Sequence, residues 1–225
     1  MKIEIFSDII CPWCFIGKQR LDQVLRGDVD GADKGAGEIG ADIELRWRPY
    51  LLYPNIPLEG VDRAEMLARR YGDNADPARV PERIRQEAEA EGLELRFDLI
   101  KRTPNTLMAH RLMEHAFAED PSGLKQHELA ERLFRAYFCE GVDVGDQSAL
   151  SQQAERVGLG YQTAYEFLGG GEAVGEVEEQ LNRAPEIGVS GVPGYYLAEG
   201  FLLPGAQTAE TMAQIISRVK ARLTS

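Results

Sequence analysis

The hydrophobic pattern of this 225-residue chain changes period twice, and that change constrains the fold more than any other feature. Near the start, "KIEIFS" (2–7) alternates with period two and sets Ile3 and Ile5 on one face. "IELRWR" (43–48) does the same, with Ile43, Leu45 and Trp47 against Glu44, Arg46 and Arg48, and stops at Pro49. From about Leu58 to Ile187 the period is helical almost throughout. After Gly188 it returns to strands: "GYYLAEGFLLPG" places two short apolar-aromatic runs around Glu199-Gly200, a hairpin signal. The order is therefore β-α-β, a long helical block, then β-β-α, and the first crossover should be right-handed.

The first helix should present Cys14, Gly17, Leu21, Val24 and Leu25 inward, with Pro12 at its first position. Asp76-Pro77 and Thr103-Pro104 each pair a cap-type residue with a first-turn proline and are expected helix starts; Asp146 is a third. Leu129, Leu133, Phe134 and Tyr137 form one buried stripe, and Val174, Val177, Leu181 and Ala184 another. The charged helix from about Pro81 to Glu91 is expected at the periphery, and His127 in solvent. Thr208 should cap a last helix whose inner face is Met212, Ile215, Ile216, Val219 and Leu223.

Charge narrows the partners. A net charge of -12 repels phosphate backbones, and no basic stripe with interleaved aromatics offsets it, so nucleic acid is excluded as a partner. No run of ~18 apolar residues exists to cross a membrane. With no leader-like start and only three cysteines, the expected location is a reducing cytoplasm. "GAGEIG" (35–40) spells a dinucleotide-type glycine pattern, but it follows a helix and leads into a strand, the reverse of the order that pattern requires.

A close pair of thiols in such a compartment needs a chemical reason. In "FSDIICPWCFIGKQRL" (6–21) Pro12 takes the first helical position, so Cys11 falls at or next to the N-cap. There its Sγ is expected to accept hydrogen bonds from the N–H groups of Trp13 and Cys14, which would lower its pKa and make it the attacking sulfur. Cys14, one turn inward, would resolve the mixed disulfide. Trp13 would offer an aromatic face beside the reactive sulfur. A zinc site needs further ligands at matching spacing: His110 and His115 lie roughly 140° apart around a helix, and Cys139 stands alone. Cys139 is expected to be an inert, half-buried thiol. A pair of ordinary core cysteines would account for Cys14 but not for the proline-containing spacing at a strand–helix junction. Far downstream, Val192-Pro193 precedes the returning strand in "GVSGVPGYY"; the residues alone leave its bond open between cis and trans.

Taken together, "FSDIICPWCFIGKQRL", "RTPNTLMAHRL", "LFRAYFCEGVDVGD" and "SGVPGYYLAEGFLLPGAQ" resemble the thioredoxin-fold proteins of the DsbA family, and more narrowly its FrnE-like branch. The resemblance covers nearly the whole chain. It implies an α/β thioredoxin domain from 1–57 and 188–225, with 58–187 inserted as an all-helical domain. It also implies Cys11 as nucleophile, Cys14 as resolver and a cis Pro193 facing them. Pro12, Trp13 and Val192 would contact substrate. Asn105 and His110 lie in "RTPNTLMAH", the helix that the resemblance places over the dithiol; Trp47 and Tyr50 are further groove candidates. No metal or bound cofactor is implied beyond the dithiol itself, with glutathione as an available co-substrate; the state, monomer or homodimer, is left open.

The same architecture occurs in glutathione-dependent 2-hydroxychromene-2-carboxylate isomerases and kappa-class glutathione transferases, which typically carry serine where Cys11 stands. The retained cysteine pair favours redox chemistry on protein or small-molecule disulfides over such isomerase or transferase chemistry, and over a chaperone-like binder. One departure from the branch is Gly194 ahead of Tyr195 and Tyr196, where two aromatics often follow Val-Pro directly.

Overall fold

The structure, a computed structural model, describes residues 1–29 and 42–223. The Gly- and Asp-rich stretch that contains "GAGEIG" lies outside these residues. Strand β1 (Lys2–Ser7) runs through a turn into helix α1 (Pro12–Arg26), and β2 (Glu44–Pro49) follows. A small ladder of β3 (Val61–Asp62) and β4 (Arg102–Thr103) brackets helices α2 (Arg63–Tyr71) and α3 (Glu82–Ala90). The helical stretch goes on with α4 (Leu107–Glu119), α5 (Leu124–Glu140), α6 (Gln147–Arg156), α7 (Tyr161–Gly169) and α8 (Val174–Glu186). Strands β5 (Gly194–Leu197) and β6 (Phe201–Pro204) and helix α9 (Ala209–Leu223) close the chain.

The main sheet has the order β2-β1-β5-β6, with β2 parallel to β1 and both other pairings antiparallel. Strand β1 is therefore central, and helices cover both of its faces. Ile3 and Ile5 join the large core that includes Leu21 of α1 and Met212 and Ile216 of α9. On the opposite face Phe6 packs with Ala184 and Val189. Each such side chain taken fully out of water contributes about 1.5–3 kcal/mol. Helix α1 is buried on more than one side, because α9, α3 and α5 all pack on it. Lys18 and Arg20 are consequently buried along with Cys14, Gly17, Leu21 and Val24 of the expected stripe, whereas Leu25 is only half-buried.

Several expectations are corrected. Asp76-Pro77 opens only a turn, in which Asp76 Oδ1 accepts from Ala78 N; the helix starts at Glu82, after Pro81. Thr103 lies in β4, and α4 begins at Leu107, whose N–H donates to Asn105 Oδ1. Asp146 does cap α6 through Ala149 N, and Thr208 Oγ1 accepts from Thr211 N at the start of α9. Val174 and Leu223 are exposed rather than buried. His127 is not in solvent: it is 7% exposed, accepts from Trp47 Nε1 at Nδ1 and meets Asp22 through Nε2. With Nδ1 accepting, the proton sits on Nε2, so the ring is neutral and bridges β2 to α1. Nor is α3 wholly solvated, since Glu87 and Glu91 both pair with Arg20.

Candidate active site

Strand β1 ends at Ser7, and Asp8 shapes the turn that follows. Its Oδ2 accepts from Leu52 N at 2.7 Å, and its carbonyl accepts from Cys11 N at 3.0 Å. That turn sets Cys11 at the N-cap of α1 with Pro12 in the first turn, so the missing proline N–H costs nothing there. The sulfur does not cap the helix as expected. Cys14 N and Phe15 N donate to the Cys11 carbonyl at 3.0 and 3.3 Å, while Cys11 Sγ faces the Val192 carbonyl oxygen at 3.9 Å. The Val192-Pro193 peptide bond is cis. Pro193 is buried against α1: a Cβ on Gly17 would lie 3.1 Å from its ring. Strand β1, helix α1 and the loop before β5 thus bring Cys11, Cys14, Val192 and Pro193 together.

Both cysteines are buried, Cys11 at 4% exposure and Cys14 at 1%, and they differ in what they line. Both are free thiols. Cys11 lines a groove of about 790 Å³ together with Pro12, Trp13 and Val192. Cys14, 1% exposed, does not reach that groove and lies behind Cys11. Burial pushes the Cys14 thiol well above its usual pKa, and the neighbouring Cys11 raises it further. Cys139 is half-buried and its pKa is raised, also by burial.

Another part of the groove's lining comes from the segment between β2 and the end of α3. Tyr53, Arg63, Tyr71, Arg79 and Ile84 line it together with Cys11. Arg83 stacks over Trp13 with its guanidinium carbon 5.3 Å from the ring centroid, which holds the indole beside Cys11. None of these wall residues carries a spacing signal, because each is a single side chain in an irregular or highly charged stretch.

Asn105 and His110 do not line this groove. Asn105 Nδ2 donates to Ile56 O, so both ends of its amide serve the turn into α4. His110 is buried, with Nε2 3.1 Å from Tyr50 O and 3.7 Å from Asp8 Oδ1; it braces the turn that carries Cys11 from behind. Trp47 is a core residue. Tyr50 is half-buried beside Val189 and Val192, and its hydroxyl donates to Ser190 O. Tyr195 and Tyr196 also stay out of the groove: Tyr195 is buried toward α1, and the Tyr196 hydroxyl donates to Glu199 O. Among the described residues no three His, Cys, Asp or Glu side chains gather to hold a metal ion, and no helix is long and apolar enough to cross a membrane.

Two thiols at a strand–helix junction, one lining a groove and one behind it, have the arrangement that dithiol–disulfide exchange requires. The chain is 27% identical over 222 residues to the protein named "Uncharacterized protein YwbO" from Bacillus subtilis (strain 168), covering 96% of each. The crystal structure of a probable DsbA oxidoreductase, SCO1869 from Streptomyces coelicolor, superposes with a TM-score of 0.79 at 25% identity, covering 98% of this chain and 90% of that one. A 2-hydroxychromene-2-carboxylate isomerase shares the fold, with a TM-score of 0.65 at 18% identity and full coverage of both chains. The family model described as the DSBA-like thioredoxin domain matches residues 2–217, and the protein belongs to that family.

Proposed function

We propose that the protein is a thiol-disulfide oxidoreductase that cycles Cys11 and Cys14 between dithiol and disulfide on thiol- or disulfide-containing proteins or small molecules. The observation that carries this reading is the two-tier dithiol, in which Cys11 lines the groove and Cys14 is buried out of it. Toward a disulfide substrate, the Cys11 thiolate attacks one sulfur; the Cys11–substrate bond forms, the substrate S–S bond breaks, and the first substrate sulfur leaves as a thiolate that takes a proton from water. Cys14 then gives up its proton to water and attacks Cys11 Sγ, and the second substrate sulfur leaves as a thiolate. The Cys11–Cys14 bond forms as the mixed disulfide breaks, and two electrons have passed to the substrate. Oxidation of a dithiol substrate runs the same steps backward.

Timing follows from the electrostatics. While Cys11 is free, burial and the neighbouring Cys11 keep Cys14 protonated. Once Cys11 is tied into a mixed disulfide its share of that effect is gone, so Cys14 ionises more readily after capture than before, although burial still opposes it. Glutathione is a co-substrate of fitting chemistry, since a small thiol fits a groove of about 790 Å³. Cytoplasmic residence is part of the same proposal and rests on a cysteine count too low and too odd for a disulfide-stapled scaffold. The test is trapping with a model peptide disulfide. Cys14→Ser should accumulate a covalent peptide adduct on Cys11, detected by intact-mass analysis, and Cys11→Ser should not; an adduct on Cys14 in the Cys11→Ser protein would refute the assignment.

A further inference from the structure

Two hydroxyl groups behind the dithiol are buried and make no hydrogen bond: the Ser7 Oγ and the Tyr195 Oη. Their residues are 2% and 1% exposed. Buried hydroxyls are nearly always paired, so two orphans in one place call for an explanation. Ser7 is the last residue of β1, just ahead of the turn to Cys11, and its hydroxyl approaches the Cys14 sulfur together with the Asp8 N–H. Tyr195 lies on β5 opposite Ile5 of β1, with its side chain toward α1; a Cβ on Gly17 would sit 2.4 Å from the phenol oxygen. Gly17 is one turn beyond Cys14 on the same helix face. The phenol therefore stands in the seam between sheet and helix, one turn from Cys14, where burial first and then the charge of the Cys14 sulfur hold its proton in place.

A neutral thiol is a weak acceptor, whereas a thiolate is a strong one. Orphan donors around Cys14 in the dithiol state are what a pocket built for its thiolate would show. We propose that the Ser7 and Tyr195 hydroxyls are positioning residues for the exchange reaction, donating hydrogen bonds to Cys14 Sγ whenever that sulfur carries negative charge. In the reductive direction this occurs as Cys14 loses its proton and attacks Cys11. In the oxidative direction it occurs as the Cys11–Cys14 bond breaks and Cys14 leaves. The proposal rests on the oxidoreductase reading and says how a sulfur without a cation at hand is made to ionise inside the core.

The experiment follows the reduced protein, with Cys139→Ser throughout, as it reacts with 5,5'-dithiobis(2-nitrobenzoate) in a stopped-flow instrument. Attack by Cys11 releases one thionitrobenzoate; attack by Cys14 on the resulting mixed disulfide releases the second. Ser7→Ala and Tyr195→Phe each remove one unpaired oxygen and leave the packing in place, so both variants fold. Each should slow the second release at pH 7 by about tenfold, the worth of one charge-assisted hydrogen bond. Each should also move the pH midpoint of that release upward while leaving the first release within about twofold of the parent. Ser7→Thr, which keeps the hydroxyl, should restore the second rate. A second release that is unchanged in Ser7→Ala and Tyr195→Phe overturns the proposal, as does an equal slowing of both releases. A parent protein that gives only one equivalent fails differently, because it removes the oxidoreductase reading itself.

Discussion

Glu4 lies in the central strand with none of its side chain exposed, yet it is ionised. Burial pushes its carboxyl up, but Arg183 and Arg48 outweigh burial and hold it down at about 2, against 4.5 for a free glutamate. Arg183 donates to both oxygens at 2.9 and 3.0 Å, and Arg48 Nε donates at 2.6 Å. The folded-state pKa is depressed, so the stability Glu4 contributes is fully present above about pH 4.5 and is lost as pH falls toward 2. The shift corresponds to something on the order of 3 kcal/mol. Urea midpoints of the wild type should therefore fall steeply between pH 4.5 and 2, and Glu4→Gln should flatten that limb while lowering stability at pH 7. At this scale the Cys11–Cys14 pair was legible from residue type and spacing, whereas the residues alone left the Val192-Pro193 bond, which is cis, open. Glu4, Ser7, Tyr195 and His127 were not legible, because their roles depend on what packs over them, and a polar residue in an alternating strand reads as solvent-facing until a second layer covers it.

Helix α1 shows how elements, rather than single residues, place the groove wall. Arg20 donates to Glu87 of α3 and to Glu91 at its C-terminal end, and its Nη1 donates to the carbonyls of Ala206 and Gln207 in the loop before α9. One guanidinium thus ties α1 to the helix that carries Ile84 into the groove and to the last helix. Arg20→Ala leaves Glu91, only 10% exposed, without its cation, and should cost roughly 3 kcal/mol. Amide exchange in α3 should speed up while β1 stays protected; unchanged exchange in α3 would remove this role for Arg20. The order of elements and most buried stripes were readable from periodicity. The starts at Asp76-Pro77 and Thr103-Pro104 misled because Asp-Pro and Thr-Pro begin turns as readily as helices, and the tertiary partners decided for turn and strand. The β3–β4 ladder, two residues per strand, is too short for any period to show.

At the scale of the whole molecule, the junction of β1 and α1 carries the dithiol and the stretch between β2 and α4 roofs it, so that Cys11 lines the groove and Cys14 lies behind it. The sequence showed where the sheet and the helices would be but not this roof, whose residues are scattered between Tyr53 and Ile84 with no common spacing. The distinction between the two sulfurs is the claim on which the chemistry depends, and it is open to direct measurement. Reduced native protein should be treated with substoichiometric iodoacetamide at pH 7 and the modified residue identified by peptide mass analysis. The label should fall on Cys11 at least about tenfold ahead of Cys14, whose ionisation burial suppresses, and the bias should vanish in urea. Equal labelling of Cys11 and Cys14 in the folded protein, or a preference for Cys14, would contradict the account.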